Sequence, residues 1–133
     1  MSMKVLIADP DGQFSRGAAR YLEAHAHHVV VDPSGRDVPR TARHWRPDLV
    51  ILAAELAETG IIEDLHDIDP RPALLLTEHM DQYQRAWRAW QRGGDELLMK
   101  PVFRTHELHQ AVVAATESAA AGKAVRPALA ASA

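Results

Sequence analysis

The ends of several apolar runs in this sequence carry residue types that could do chemistry. Asp9 and Asp11 follow the first run, Thr77 ends another, and Lys100 follows the last. A carboxylate can act as a nucleophile or ligate Mg²⁺, and a lysine can contact the oxygens of a phosphoryl group. If these runs are parallel strands, their carboxyl ends lie along one crevice at one edge of a sheet. The polar set expected there is Asp9, Asp11, Glu55, Thr77, Glu78 and Lys100.

The composition excludes several other kinds of site. The chain has 133 residues, a formal net charge of −3 and no cysteine. It therefore has no disulfide, thiolate zinc site, iron–sulfur cluster or cysteine nucleophile. A mildly acidic balance argues against nucleic acid as a partner. The sequence also lacks a glycine-rich nucleotide loop and the Gly-X-Ser-X-Gly motif of hydrolases.

Length and hydropathy predict one domain without a membrane segment. No apolar run reaches the ~20 residues needed to span a bilayer. The first residues lack the basic and long apolar regions of a signal peptide. We expect a cytoplasmic protein with no membrane partner, a single domain over 1–118 and an Ala-rich, disordered tail over 119–133.

Five apolar runs alternate with five helical patterns along the chain. Apolar runs without polar alternation are typical of strands buried on both faces. The strands are predicted over 4–8, 28–32, 48–53, 73–77 and 96–99. The helices are predicted over 12–26, 36–45, 61–68, 81–92 and from 105 to 118. This pattern predicts an α/β fold, a flavodoxin-like doubly wound sheet of five parallel strands in the order 2-1-3-4-5.

Shorter signals predict how the helices begin and which faces they bury. Asp11, Asp81 and Thr105 are expected to cap the first, fourth and last helices. The fourth helix should end at a glycine pair. The inner face of the first helix is expected to carry Phe14, Ala18, Tyr21, Leu22 and His25. The inner face of the last helix is expected to carry Leu108, Ala111, Val112 and Ala115.

Four motifs in order resemble the receiver domain of two-component response regulators. Residues 6–9 (LIAD) resemble its first strand with the first acid of its acidic pair, and 46–52 (RPDLVIL) resemble the approach to its phosphorylated Asp. Residues 75–77 (LLT) resemble the strand with its switch hydroxyl, and 93–101 (GGDELLMKP) resemble its Lys-Pro stretch. The resemblance covers nearly the whole chain apart from the tail. It implies a single-domain response regulator with a cis bond before the proline of the last motif.

The residues of the family's phosphorylation chemistry are not all matched. The phosphoacceptor position falls on Ala53, the second acid of the pair on Pro10, and the aromatic switch position on Leu97. Without the nucleophile and one metal ligand, Asp9 alone would hold Mg²⁺ only weakly. We therefore interpret the chain as a pseudo-receiver without catalytic residues, cofactor or metal, with Asp9 and Asp11 as weak metal candidates.

The resemblance defines a vestigial phosphorylation pocket. Lys100 is expected to form an ion pair with Asp9 at the strand ends, and Thr77 to form a local hydrogen bond. Asp11 or Glu55 remains open as a substitute metal ligand or as an unorthodox phosphoacceptor. The pocket is predicted to contain Asp9, Pro10, Asp11, Ala53, Thr77 and Lys100.

The predicted fourth helix is rich in tryptophan and arginine. Trp87 and Trp90 share a face with Tyr83, and the face is open to two interpretations, core packing or a binding surface. The opposite, solvated face carries Arg85, Arg88 and Arg92. The resemblance implies a partner surface on the fourth helix, fifth strand and last helix. Its expected members are Trp87, Arg88, Trp90, Leu97, His106 and His109.

These observations lead to two hypotheses of different classes. The first is a non-enzymatic, stand-alone atypical response regulator in bacterial signalling that binds a protein partner, or a second copy of itself, without phosphorylation. The alternative is a small flavodoxin-like domain that binds a ligand or catalyses a reaction in the crevice, since one fold hosts many functions. The histidines are expected to be solvated, because no set of three or four converging metal ligands accompanies them.

Overall fold

Parallel pairing of five strands forms the centre of the computed structural model. The structure describes residues 2–122, apart from the side chains of residues 58 and 59. The strands lie in the order β2-β1-β3-β4-β5, which confirms the predicted fold class. They are β1 (Lys4–Ala8), β2 (His28–Val31), β3 (Leu49–Ala53), β4 (Ala73–His79) and β5 (Glu96–Lys100).

Within residues 2–122, four α-helices and two short 3₁₀ segments connect these strands, and a fifth α-helix follows β5. The α-helices are α1 (Gly12–Ala24), α2 (Val38–Trp45), α3 (Ile61–His66), α4 (Tyr83–Gln91) and α5 (Thr105–Ala120). The 3₁₀ segments are Ala54–Thr59, between the third strand and the third helix, and Met80–Gln82. The Lys100–Pro101 bond is cis, as predicted. The Asp69–Pro70 bond is also cis.

The strand side chains alternate between two separate cores. On β1, Leu6 and Ala8 face the core under α2, α3 and α4. Val5 and Ile7 face the core under α1 and α5. β3 is buried along its whole length. Burial on both faces explains why the central strands lack polar alternation. The prediction of two-sided burial is wrong for β2, an edge strand whose Val30 and Val31 are exposed. Parallel pairing brings the carboxyl ends of the strands together at one edge.

The first helix is capped as predicted but buries a narrower stripe. The Asp11 carboxylate accepts the Phe14 backbone N–H at 3.1 Å. The prediction that His25 lies on the inner face is wrong, because the helix ends at Ala24 and His25 is the exposed residue that follows. Its ring lies 4.3 Å from that of Tyr21, at the surface.

The starts of α4 and α5 differ from the predictions. β4 continues to His79 because it pairs with the full length of β5. Asp81 therefore falls in the 3₁₀ segment, and Gln82 precedes α4 without a side-chain cap. Thr105 is the first residue of α5 rather than its cap. The Glu107 carboxylate caps this helix instead, since it accepts the backbone N–H of Arg104 at 3.1 Å.

The inner face of α5 is confirmed, with all four predicted residues buried. The helix continues to Ala120. The greater part of the Ala-rich tail, 123–133, lies outside the described residues, so its disorder stays a prediction. Within residues 2–122, no helix combines the length and hydropathy required to cross a bilayer.

Candidate functional site

The Asp9 carboxylate is the centre of the polar cluster at the strand ends. Asp9 is fully buried at the end of β1. Its Oδ2 accepts a hydrogen bond of 2.7 Å from the Thr77 hydroxyl and one of 2.7 Å from the Lys100 ammonium group. Its Oδ1 accepts the Asp11 backbone N–H at 2.9 Å. The predicted ion pair of Lys100 with Asp9 is therefore confirmed. The hydrogen bond of Thr77 is not local as predicted, because it joins β4 to the same carboxylate at the end of β1.

Asp11 adds a second negative charge to the cluster. Its Oδ2 lies 3.3 Å from the Lys100 Nζ and 4.0 Å from the His79 Nε2. Burial by itself would raise the pKa of Asp11. The Phe14 N–H and the Lys100 charge outweigh that effect and hold the pKa below its ordinary value. Lys100, only 5% exposed, is thus shared between two carboxylates.

Two contacts of the cluster come from α1 and were missed from the sequence. The Phe14 ring lies 4.7 Å from the Lys100 Nζ, within cation–π range. The Ser15 hydroxyl donates to the Asp9 carbonyl oxygen at 3.1 Å. Within residues 2–122, every buried side-chain nitrogen or oxygen has a hydrogen-bond partner. The cluster therefore satisfies its polar atoms without a ligand.

The two positions where the resemblance expected acids have no side-chain oxygen. Ala53 ends β3, is 2% exposed, and lies beside Thr77 in the sheet register. Pro10 is exposed. Mg²⁺ requires near-octahedral oxygen coordination. Here the Asp9 oxygens already accept hydrogen bonds, and Lys100 supplies the positive charge.

In the described part of the chain, no three His, Asp or Glu side chains lie close enough together to hold a metal ion. The two carboxylates of the cluster, Asp9 and Asp11, both pair with Lys100 instead.

Two acids expected at the crevice are not part of this cluster. Glu55 is exposed in the 3₁₀ segment that follows β3. Glu78 is buried, and its carboxylate binds the Arg85 side chain of α4 and the His79 backbone N–H. Burial alone would raise the pKa of Glu78, but these partners hold it below its ordinary value. Arg85 was predicted on a solvated face and instead joins α4 to the end of β4.

A groove of about 440 Å³ lies beside the cluster, between α1 and the segment that joins β5 to α5. Asp11 and Lys100 form its polar edge. Its wall is largely apolar and contains Phe14, Tyr21, Val102, Phe103 and Leu108. The Phe103 side chain is 81% exposed at the surface. The sequence did not predict this groove, because the irregular segment 101–104 has no periodic pattern to place it.

The face of α4 that carries its aromatic residues is largely exposed. Trp87 is 48% exposed and Tyr83 is 63% exposed. Trp90 is half-buried against the core, and its ring stacks on that of Trp87 with centroids 5.0 Å apart. Exposed aromatic side chains grouped on one helix are typical of binding surfaces. We call Tyr83, Trp87 and Trp90 the α4 aromatic surface.

The other predicted partner residues lie on the two elements next to α4. Arg88 is an exposed residue of α4. Leu97 of the edge strand β5 is half-buried on the α4 side of the sheet. His106 and His109 are exposed on α5, which packs on the opposite side. No described contact joins these residues into one surface, so their joint role stays a prediction.

Comparison with solved structures identifies the fold. No protein-family model and no curated protein matches the sequence. The chain superimposes on NtrX from Brucella abortus, crystallised with ATP, with a TM-score of 0.79 at 18% identity. That match covers 94% of this chain but only 29% of the NtrX chain.

Isolated receiver domains match over nearly their whole length. A response-regulator signal receiver domain from Bermanella marisrubri has a TM-score of 0.72 at 18% identity, covering 84% of this chain and 96% of its own. A signal receiver domain from Vibrio parahaemolyticus has a TM-score of 0.74 at 17% identity, covering 96% and 99%. The chain therefore has the fold of a response-regulator receiver domain. Identities this low show the fold alone, and function must be argued from the site.

Proposed function

We propose that the protein is a pseudo-receiver, a non-enzymatic signalling regulator that binds a protein partner without being phosphorylated and without Mg²⁺. Ala53 carries the proposal. A methyl group stands at the strand end where receiver chemistry needs a carboxylate nucleophile. The groups that would contact a phosphoryl oxygen, Thr77 and Lys100, are bound to Asp9 instead.

The proposed partner surface is the α4–β5–α5 face, with the α4 aromatic surface as its main apolar area. Trp87, with nearly half of its surface exposed, supports this assignment, because a large apolar ring left in water gains free energy when a partner covers it. The partner is proposed to be another protein or a second copy of the chain.

The test is an amide NMR titration of the full chain, first with Mg²⁺ and then with beryllofluoride as an acyl-phosphate mimic. We expect no saturable shifts at Asp9, Ala53, Thr77 or Lys100. Intact-mass measurement after incubation with acetyl phosphate should show no added phosphoryl group. The control is the double variant Pro10→Asp/Ala53→Asp, which restores both acids and should gain Mg²⁺-dependent shifts.

Two results would contradict the proposal. One is stoichiometric phosphate incorporation into the unaltered chain, with peptide mapping to show whether Asp11 or Glu55 is the acceptor. The other is a set of saturable shifts that spreads from Asp9 to Trp87. Either would mean that an unorthodox acceptor operates in this pocket.

A second candidate function is ligand binding, and the groove beside the cluster favours it. Its volume of about 440 Å³ lies within the range of small-molecule sites. A fragment screen by NMR would support this function if hits shift Phe14, Tyr21 and Val102 together and if Tyr21→Ala abolishes them. An empty screen would leave the pseudo-receiver function as the single candidate.

A further inference from the structure

The charged residues of α4 are all basic, in contrast to the acidic balance of the whole chain. α4 itself contains two arginines and no acid, whereas the formal net charge of the chain is −3. Tyr83, Trp87 and Arg88 are exposed on a helix whose other side packs on the core through Ala86 and Ala89. A partner would therefore meet a local positive charge beside exposed aromatic rings.

Arg88 is the arginine of this helix that has no partner within residues 2–122. Arg85 binds the buried Glu78 carboxylate, and Arg92, just after the helix, binds both oxygens of Glu63 at 3.0 and 2.7 Å. Arg88 makes no hydrogen bond or ion pair with any described residue. Its guanidinium group thus retains its full capacity to form a two-bond pair with a carboxylate.

A shallow groove of about 370 Å³ brings Arg88 and the rings together. Tyr83, Gln84, Trp87 and Arg88 line it. Tyr83 and Trp87 are separated by one helical turn, so a side chain can enter between their rings. The stack of Trp90 on the inner side of Trp87 fixes the indole, which reduces the conformational entropy lost on binding.

We propose that this groove docks a short acidic segment of a partner protein. A carboxylate of the segment pairs with Arg88, and an apolar side chain next to it packs between Tyr83 and Trp87. Asp81 is exposed in the 3₁₀ segment just before Tyr83, at the opposite end of the helix sequence from Arg88, and its charge disfavours an acid on that side. The acidic end of the segment is therefore oriented toward the carboxyl end of α4. This inference rests on the proposed function, which it deepens by stating the chemistry of the partner.

The experiment is a selection of random displayed peptides on the full chain without any phosphodonor. Enriched peptides should be acidic and carry an aromatic or large aliphatic residue. Their binding, followed by tryptophan fluorescence, should weaken about tenfold with Arg88→Glu and about thirtyfold with Trp87→Ala. The matched control is Arg20→Glu on α1, an equally exposed arginine, which should leave the affinity unchanged.

Charge reversal provides the decisive comparison. A peptide whose acids are replaced by lysine should lose binding to the unaltered chain and regain it with Arg88→Glu. Enrichment of neutral or basic peptides, no enrichment at all, or equal effects of Arg88→Glu and Arg20→Glu would overturn the inference. A dimer in solution that dissociates with Arg88→Glu would assign the groove to a second copy and would also overturn it.

The two proposals can fail separately. Phosphate incorporation in the same preparation would contradict the pseudo-receiver function, whatever peptides are selected. Absence of incorporation together with charge-independent peptide binding would leave the pseudo-receiver function in place and remove the acidic partner alone.

Discussion

The substitution Asp9→Asn tests whether the polar cluster is a structural ion pair. It keeps the shape of the side chain and an oxygen for Thr77, but it removes the charge that pairs with Lys100 at 2.7 Å. Breaking a buried ion pair by neutralising one partner costs about 3–5 kcal/mol. Asp11 remains 3.3 Å from the ammonium group, so we expect a loss at the lower end of this range, about 3 kcal/mol of the free energy of unfolding.

That loss corresponds to a fall in Tm of about 10 °C for a domain of this size. Urea unfolding followed by circular dichroism measures the free energy directly. The control is Asp67→Asn on the exposed end of α3, which should change stability by less than about 0.5 kcal/mol. Adding Lys100→Met to Asp9→Asn removes the underpaired ammonium group, and the double variant should recover about 1 kcal/mol or more.

Two results would refute this reasoning. If Asp9→Asn were as stable as the unaltered chain, the buried carboxylate would not be stabilising Lys100. If the two substitutions destabilised additively, the residues would not be coupled despite their contact. In either case the cluster would be better explained by a binding role, and the pseudo-receiver proposal would lose its structural support.

Four further outcomes are expected. Gly93→Ala should lower the free energy of unfolding by about 2 kcal/mol or more, because the φ of Gly93 is +137° and an added Cβ would lie 2.3 Å from the His66 ring. Gly17→Ala should raise the free energy of unfolding by about 0.5–1 kcal/mol, because Gly17 lies in a helix and an added Cβ meets nothing within 4 Å. Thermal melts measure both changes. Burial and neighbouring positive groups hold the pKa of His27 below 6.5, so urea midpoints should fall as the pH drops through 6.5, and His27→Gln should remove that step. The pKa of Asp11 is held below 3.8, so a second loss of stability should begin as the pH approaches 4, and Asp11→Asn should reduce it.

The sheet was predictable from the sequence because its central strands, β1, β3 and β4, are largely buried on both faces, and because the exposed edge strand β2 is nevertheless β-branched. Such strands appear as continuous apolar runs separated by Pro, Gly and Asp, and right-handed crossovers leave few possible strand orders. The helix ends were less predictable. Asp81 and Thr105 have the residue types of caps, but the position of α4 depends on how far β4 pairs with β5, and α5 is capped by Glu107.

The convergence of the site was also predictable, whereas its contacts were not. Asp9, Thr77 and Lys100 meet because parallel strands bring their carboxyl ends to one edge. The Phe14 ring near Lys100 depends on the rotation of α1, which a hydrophobic stripe specifies only approximately. Arg85 was assigned to solvent because helix periodicity alone does not show that a buried acid follows the neighbouring strand.

The charges of the pocket support the proposal that the protein acts without a phosphoryl group and without a metal ion. An acidic pair and a phosphoacceptor Asp beside one lysine would leave two net negative charges in a buried crevice, which a divalent cation would neutralise. With Ala53 at the acceptor position, the two carboxylates of Asp9 and Asp11 and the ammonium group of Lys100 leave only one net negative charge. The backbone N–H groups of Asp11 and Phe14 donate to these carboxylates and stabilise the remaining charge. The proposed regulator therefore needs no cation or phosphoryl group to balance this charge, and its proposed docking surface on α4 would be available to a partner at all times.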